Sequence, residues 1–439
     1  MPAITRNMGA ARAYAGPRGV SRRRGRPRVA LSFRGLAFAG FLCAGAFKAS
    51  PRLAWLPVDL TLSLVVVSML IAGGLVVQAL LARDKARPRG SDLRTMEPMA
   101  AAAVLFLFLA LPMLGGEHDA YSIEKTTRLF TLTLVAAVLP LALFRTRGDL
   151  ERFYNALTVL GLIMAVDASA TLLTGHKLTE QTHGRASAWG ASPLQLGRVA
   201  GLAAVWIVVR WLDRRAPLLL VAPAVGALLV AVVGSGSRGP LLAVSVAIPL
   251  SCLLFYLTRV RTAARVLLGL AICGGFLVVG MRLAPDAATE RIARTVSGDF
   301  SGSSEEGRAR AYERSLKLIP AHPLGIGWGG FADLNVKTPS GAPIDYPHNF
   351  VLEAFLEGGW LVGVLLSALV LGALVRAASL GMHGGDVAAR GLFAVLLYLV
   401  VNALVSGDIN GNRYMLSFVV LALAYRGVPR AAGPAPDAG

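Results

Sequence analysis

Long apolar stretches alternate with short polar connections along the chain. A helix needs about 20 mostly apolar residues to cross the hydrocarbon core of a bilayer. Stretches that meet this measure or approach it are 33–48, 55–82, 98–115, 126–145, 153–174, 193–212, 216–233, 238–257, 263–283, 348–377, 388–406 and 412–427. The first is short, the tenth is long, and only Gly234–Gly239 separates the seventh from the eighth. The pattern predicts an all-α, polytopic membrane protein with about 12 transmembrane helices.

The connections differ in charge. Basic residues fill the N-terminal tail (Arg6 to Arg28), the connection Arg83–Arg94, and the clusters Arg145/Arg147/Arg152, Arg210/Arg214/Arg215 and Arg259/Arg261/Arg265. The positive-inside rule assigns all of these to the cytoplasm. Both termini are then cytoplasmic, as an even number of spans requires. The predicted layout is a basic tail 1–32, a transmembrane domain 33–427 with a long external loop 284–347 inside it, and a second cytoplasmic tail 428–439. The tail has no apolar core before a small-residue cleavage site, so it reads as a retained topology determinant in contact with anionic lipid.

Composition agrees. The chain is 55% hydrophobic and only 16% charged, with a net charge of +19. This excludes a disordered chain and argues against a nucleic-acid binder, whose positive charge would cover a polar surface. Cys43, Cys252 and Cys273 all lie in apolar stretches and no CxxC pair occurs. They read as small buried hydrophobes rather than a disulfide or zinc framework.

The outward connections hold the candidate chemistry. The loop Pro285–Pro347 is long and nearly neutral, with eight acidic and seven basic residues. Glu306/Arg310 and Glu313/Lys317 at i, i+4 predict a helix over Glu305–Ile319, ended by Pro320 and Pro323. Gly116–Lys125 and Gly175–Ser192 are the other polar outward connections. Asp59, Asp167, Arg198, Arg238, Glu353 and Glu357 all fall in the outer halves of their spans, with no matching set in the inner halves. A transport pathway would place polar groups at mid-depth. The pattern points instead to a polar site open to the outer leaflet.

Three constellations stand out. Ser237-Arg238-Gly239-Pro240 ends a Gly-rich hairpin at a helix start. Free N–H groups and Arg238 there favour an anion, although a plain tight hairpin with an interfacial Arg fits equally well. Arg308 and Tyr312 share one face of the loop helix, while Arg310, Arg314 and Lys317 share another. An amphipathic surface helix accounts for most of this, and an Arg aimed at a pyrophosphate for the rest. Tyr346-Pro347-His348-Asn349 opens the tenth span, followed by Glu353 and Glu357 on one face. His348 there is either an interfacial side chain or a base for a hydroxyl. The His spacing fits no metal motif, and Glu117-His118-Asp119 is weak on its own.

In this order, the three pieces resemble the O-antigen ligase and O-antigen polymerase superfamily of bacterial membrane proteins. The resemblance rests on Ser237-Arg238-Gly239, Arg308 with Tyr312, Pro323-Leu324-Gly325-Ile326-Gly327-Trp328-Gly329-Gly330-Phe331, and His348-Asn349 with Glu353, Glu357 and Gly358-Gly359. It is strong over about 200–380 and weaker at Lys125 and Arg185; a Trp is commoner in the family where Tyr312 stands. The resemblance implies a GT-C-like glycosyltransferase of the bacterial plasma (inner) membrane, active in surface polysaccharide biosynthesis. Its donor is a saccharide on an undecaprenyl-pyrophosphate-type lipid, and its acceptor is a glycan, lipid or protein. It implies Arg238, Arg308 and His348 as catalytic residues. Lys125, Arg185, Ser237, Asn349, Tyr312 and Glu353 are implied in substrate binding. Inverting transfer needs no metal or cofactor if arginines neutralise the leaving group. The competing readings are a polysaccharide flippase or exporter, and a non-catalytic scaffold of an envelope polysaccharide machine.

Overall fold

The computed structural model describes residues 30–47, 53, 55–81, 109–114, 119–174, 184–189, 192–257, 260–297, 303–384 and 386–427. The basic tail, the connection Arg83–Arg94, most of the predicted span 98–115, Glu117, His118, most of Gly175–Ser192 and the segment 428–439 lie outside them.

The described residues form helices and no strand, apart from one isolated bridge between Lys337 and Pro343. In chain order they are α1 Phe33–Cys43, α2 Leu60–Leu81, α3 Ala120–Leu143, α4 Arg147–Thr174, α5 Pro193–Leu212, α6 Leu218–Gly234 and α7 Arg238–Tyr256. Then come α8 Val260–Leu283, α9 Asp286–Val296, α10 Ser303–Leu318, α11 Phe350–Leu356, α12 Gly359–Gly384, α13 Val387–Ala403 and α14 Arg413–Ala424. Among the described residues, seven helices are long and apolar enough to cross a membrane: α2, α3, α4, α5, α7, α8 and α12. The apolar helices Phe33–Ala46, α6, α13 and α14 are shorter.

One predicted span is two helices. The stretch 348–377 breaks between α11 and α12, where Gly359 adopts φ +82°. Counting apolar residues cannot see this break, because a left-handed glycine costs nothing in hydropathy. The predicted helix Glu305–Ile319 is present as α10, followed by a 3-10 turn at Ile319–Ala321. Its Glu306–Arg310 and Glu313–Lys317 pairs form at 2.9 and 2.6 Å.

Burial explains the layering. Nearly every residue of α5 and α13 is buried, so these two helices lie at the centre. Tyr398 of α13 donates to the carbonyl of Arg198 on α5 at 3.0 Å. Trp206 of α5 packs on Tyr154 of α4 with ring centroids 4.4 Å apart. By contrast α2, α8 and α12 expose Leu62, Leu70, Leu267, Val278, Leu371 and Val375. Exposed leucine and valine along long helices suit lipid rather than water.

The two ends of the bundle differ chemically. At one end, ion pairs join the helix ends: Arg34 with Asp149, Arg147 with Asp386 and Arg390 with Asp213. The clusters Arg145/Arg147/Arg152 and Arg210/Arg214/Arg215, together with Arg265, therefore lie at one end of the bundle. The opposite end carries α9, α10, α11 and the starts of α3, α5, α7 and α14. The sequence-predicted site residues lie there.

Candidate functional site

The hairpin between α6 and α7 is held by its own short side chains. Ser235 Oγ accepts from the N–H of Ser237 at 3.2 Å, and the Ser237 hydroxyl donates to the Ser235 carbonyl at 3.3 Å. Ser237 is buried and occupied locally, while Arg238 opens α7 and Pro240 fits its first turn. The Arg185 segment is tied to the same hairpin, since Ala186 N–H donates to the Gly234 carbonyl at 2.9 Å. Asp167 on α4 accepts from Trp189 N–H at 2.6 Å and fixes the far side of that segment.

Five arginines converge here. Arg185, Arg291, Arg294 and Arg308 all lie close enough for their charges to act on Arg238. Arg238 pairs with Glu305 of the first turn of α10, and Arg294 with Glu290 at 3.4 Å. Burial, and then the neighbouring guanidiniums, lower the pKa of Arg291. Burial also lowers those of Arg185 and Arg308. Like charges crowded in a half-buried site are unfavourable by themselves, and a bound polyanion relieves them. Guanidinium groups match phosphate oxygens through paired hydrogen bonds.

His348 stands beside this cluster. It adopts φ +58°, a left-handed conformation that non-glycine residues rarely take. The next residue, Asn349, caps α11, its Oδ1 accepting from the N–H groups of Val351 and Leu352 at 2.9 and 3.1 Å. The imidazole packs against the Tyr346 ring, centroids 4.4 Å apart. Burial first, and then the Arg308 charge, push its pKa down to about 4, with Asp408 opposing. At neutral pH the ring is uncharged and can accept a proton. Tyr312 comes from α10 to bond the Asn349 side chain and the Leu404 carbonyl, the latter at 3.3 Å.

Two predicted residues are placed elsewhere. The structure does not pair Lys125 with an anion site; Lys125 Nζ lies 2.8 Å from Glu353 and 2.6 Å from Glu357, and all three are buried. Glu357 also accepts from Gly329 N–H at 3.0 Å. Lys125 and Glu353 therefore neutralise each other inside the protein rather than lining open space. Around them, Pro323–Phe331 plugs the break between α11 and α12. Ile326 and Gly327 N–H groups donate to the Leu356 and Glu357 carbonyls at 2.9 and 3.1 Å, and Trp360 N–H to the Pro323 carbonyl at 2.9 Å. The free backbone groups of the broken helix are thus satisfied. The Pro-Leu-Gly-x-Gly run is the piece that closes this break.

The turn between α13 and α14 contributes residues that the sequence reading missed. Arg198, buried on α5, donates to the Gly411 carbonyl at 2.5 Å. Asn410 donates to the Lys125 carbonyl at 2.9 Å and accepts from Thr133 at 2.7 Å, at the π-helical turn of α3. These anchors hold Asp408, whose charge reaches both His348 and Glu353. Arg291 was likewise missed. Its only trace in the sequence is the Arg291/Arg294 spacing on an amphipathic helix, and Asp408 offers only a Gly-Asp-x-Asn-Gly turn between two apolar stretches.

Residues 223–367 match the family model described as O-antigen ligase. The match runs from within α6 to within α12 and includes Arg238, Arg308 and His348. It supports the resemblance to the O-antigen ligase and polymerase superfamily. No curated protein matches the chain.

Proposed function

We propose, with the O-antigen ligase match as premise, that this chain is an inverting glycosyltransferase of surface polysaccharide biosynthesis. It transfers or polymerises a glycan carried on an undecaprenyl-pyrophosphate-type lipid. The match supports the coarse role, a multipass membrane protein of O-antigen ligase type. The finer reading rests above all on one observation: His348 lies beside Arg308, one of the arginines that converge on Arg238.

The chemistry follows from that pairing. The donor pyrophosphate sits among Arg238, Arg308, Arg185 and Arg291, with Arg294 at the exposed rim. The acceptor hydroxyl oxygen attacks the anomeric carbon, and its proton passes to His348 Nδ1 or Nε2. The bond from the anomeric carbon to the pyrophosphate oxygen breaks, and the electron pair leaves with the lipid pyrophosphate. A single displacement inverts the anomeric configuration. The guanidiniums stabilise the growing charge on the leaving group, the part a metal ion plays in other transferases. Asp408 stabilises the imidazolium that forms. Tyr312 and Asn349 hold α10 and α11 at the spacing this needs.

The charged groups of the candidate site lie at the ends of their helices rather than at mid-depth, which favours transfer chemistry over a passage through the midplane. With the basic connections in the cytoplasm, that end faces the outer leaflet and both termini lie inside. The test uses purified protein in lipid nanodiscs, a defined polyprenyl-pyrophosphate saccharide and candidate acceptors. Product is expected from the wild type and not from His348→Ala or Arg238→Ala at equal membrane levels. Wild-type rates in either variant would remove that residue from the mechanism.

A further inference from the structure

A second charged cavity lies at the opposite end of the bundle. Its volume is about 590 Å³, and it opens between the ends of α5, α7 and α12 and the starts of α8 and α13. The helix α7 runs from Arg238 in the candidate site to Tyr256 on this cavity, a distance of about 27 Å at 1.5 Å per residue. The two sites are therefore separate.

Three guanidiniums line it, Arg214, Arg265 and Arg390, against one carboxylate, Asp213. Asp213 is already committed to Arg390. Arg390 is further fixed by its Nε donating to the Gly381 carbonyl at 3.1 Å and by stacking 5.2 Å from the Tyr256 ring centroid. Among the described residues, Arg214 and Arg265 have no carboxylate partner. Leu254, Phe255 and Met382 supply an apolar wall beside these charges.

The backbone at Arg214 is unusual. Helix α5 ends in a Schellman arrangement, with Arg214 N–H bonding the Trp211 carbonyl at 2.9 Å and Arg215 N–H the Arg210 carbonyl at 2.8 Å. The residue at this place turns left-handed, and glycine normally occupies it. Here it is Arg214, at φ +58°. Glycine would end the helix without strain, whereas an arginine also delivers a guanidinium to the cavity.

We propose that this cavity binds a phosphate-bearing headgroup, with Arg214 and Arg265 clasping the phosphate and the apolar wall taking the start of an acyl chain. Basic pockets between membrane helices recognise anionic headgroups in this way. Arg390 with Asp213 forms the fixed floor of the pocket. The phosphate comes either from a phospholipid of the adjoining leaflet or from a soluble phosphate.

The experiment titrates the full-length protein in detergent with phosphatidylglycerol, phosphatidylcholine and inorganic phosphate, and counts bound ligand by native mass spectrometry. Phosphatidylglycerol is expected to bind at least tenfold more tightly than phosphatidylcholine. The Arg214→Gly/Arg265→Gln double variant is expected to lose that preference while keeping its lipid-free melting temperature. Arg214→Gly alone removes one charge and relieves the left-handed strain, so a loss of binding there cannot be ascribed to misfolding. Inorganic phosphate competing with the same arginine dependence identifies a soluble source, and lipid binding without competition identifies the lipid. Equal binding of the two lipids with no phosphate bound, or anionic binding unchanged in the variants, overturns the proposal.

Discussion

The Arg308 guanidinium acts on the His348 imidazole, adding to burial in holding its pKa down to about 4. The two residues come from different pieces of the chain, α10 and the start of α11, and Tyr312 ties those pieces together through Asn349. A neutral imidazole is the form that accepts a proton, so activity is lost as pH falls through the pKa. In the wild type, kcat/KM for transfer is expected to hold down to about pH 5 and to fall near pH 4. Arg308→Gln removes a like charge, so the acid limb should move to higher pH, alongside a lower overall rate. A pH–rate profile of both proteins checks this. An acid limb that stays in place in the variant would separate His348 from Arg308.

Glu305 of the first turn of α10 pairs with Arg238. The proposed donor phosphate must take over that guanidinium, so the carboxylate competes with substrate. Glu305→Gln should tighten donor binding, because the guanidinium no longer has to give up a carboxylate. The relevant measurement is the donor KM, with kcat recorded alongside. A large fall in kcat with unchanged KM would assign Glu305 to the chemistry instead.

How much was legible in the sequence follows from how local each feature is. The Ser237-Arg238-Gly239-Pro240 hairpin and the His348-Asn349 cap are short-range devices, so their residues could be read directly. Helix α10 was visible through its i, i+4 pairs. Lys125 looked like an addition to the anion site because its carboxylate partner Glu357 is 232 residues away. Arg291 and Asp408 reach the site only through tertiary packing of α9 and of the turn before α14. The break at Gly359 was hidden inside an apolar run, since hydropathy carries no record of a backbone dihedral.

The buried triad gives a stability prediction. Lys125→Met leaves Glu353 and Glu357 facing each other without a cation, both fully buried. Removing one partner of a buried ion pair costs about 3–5 kcal/mol. A large fall in melting temperature and poor membrane accumulation are expected. Glu353→Gln should be far milder, because Glu357 still pairs with Lys125 at 2.6 Å. Thermal unfolding of the two variants in the same detergent discriminates between them. If Lys125→Met melts like the wild type yet loses donor binding, the lysine serves the substrate rather than the fold.

The plug at Gly325 links stability to the site. Gly325 adopts φ +85°, and a Cβ there would come within 2.4 Å of the Glu357 carbonyl oxygen and 2.6 Å of Gly359 N. Both contacts are with backbone, so no side chain can swing aside to make room. Gly325→Ala therefore has to push the Pro323–Phe331 turn off the α11–α12 break, which uncovers the Leu356 and Glu357 carbonyls. A cost of about 1–3 kcal/mol is expected from backbone strain alone. Because α11 begins at the Asn349 cap beside His348, the shift should also lower transfer activity by more than tenfold, in line with the sensitivity of catalysis to small displacements. Limited proteolysis should show faster cleavage near 323–331 in the variant. A Gly325→Ala protein with unchanged proteolysis and unchanged activity would show that the plug does not hold His348 in place.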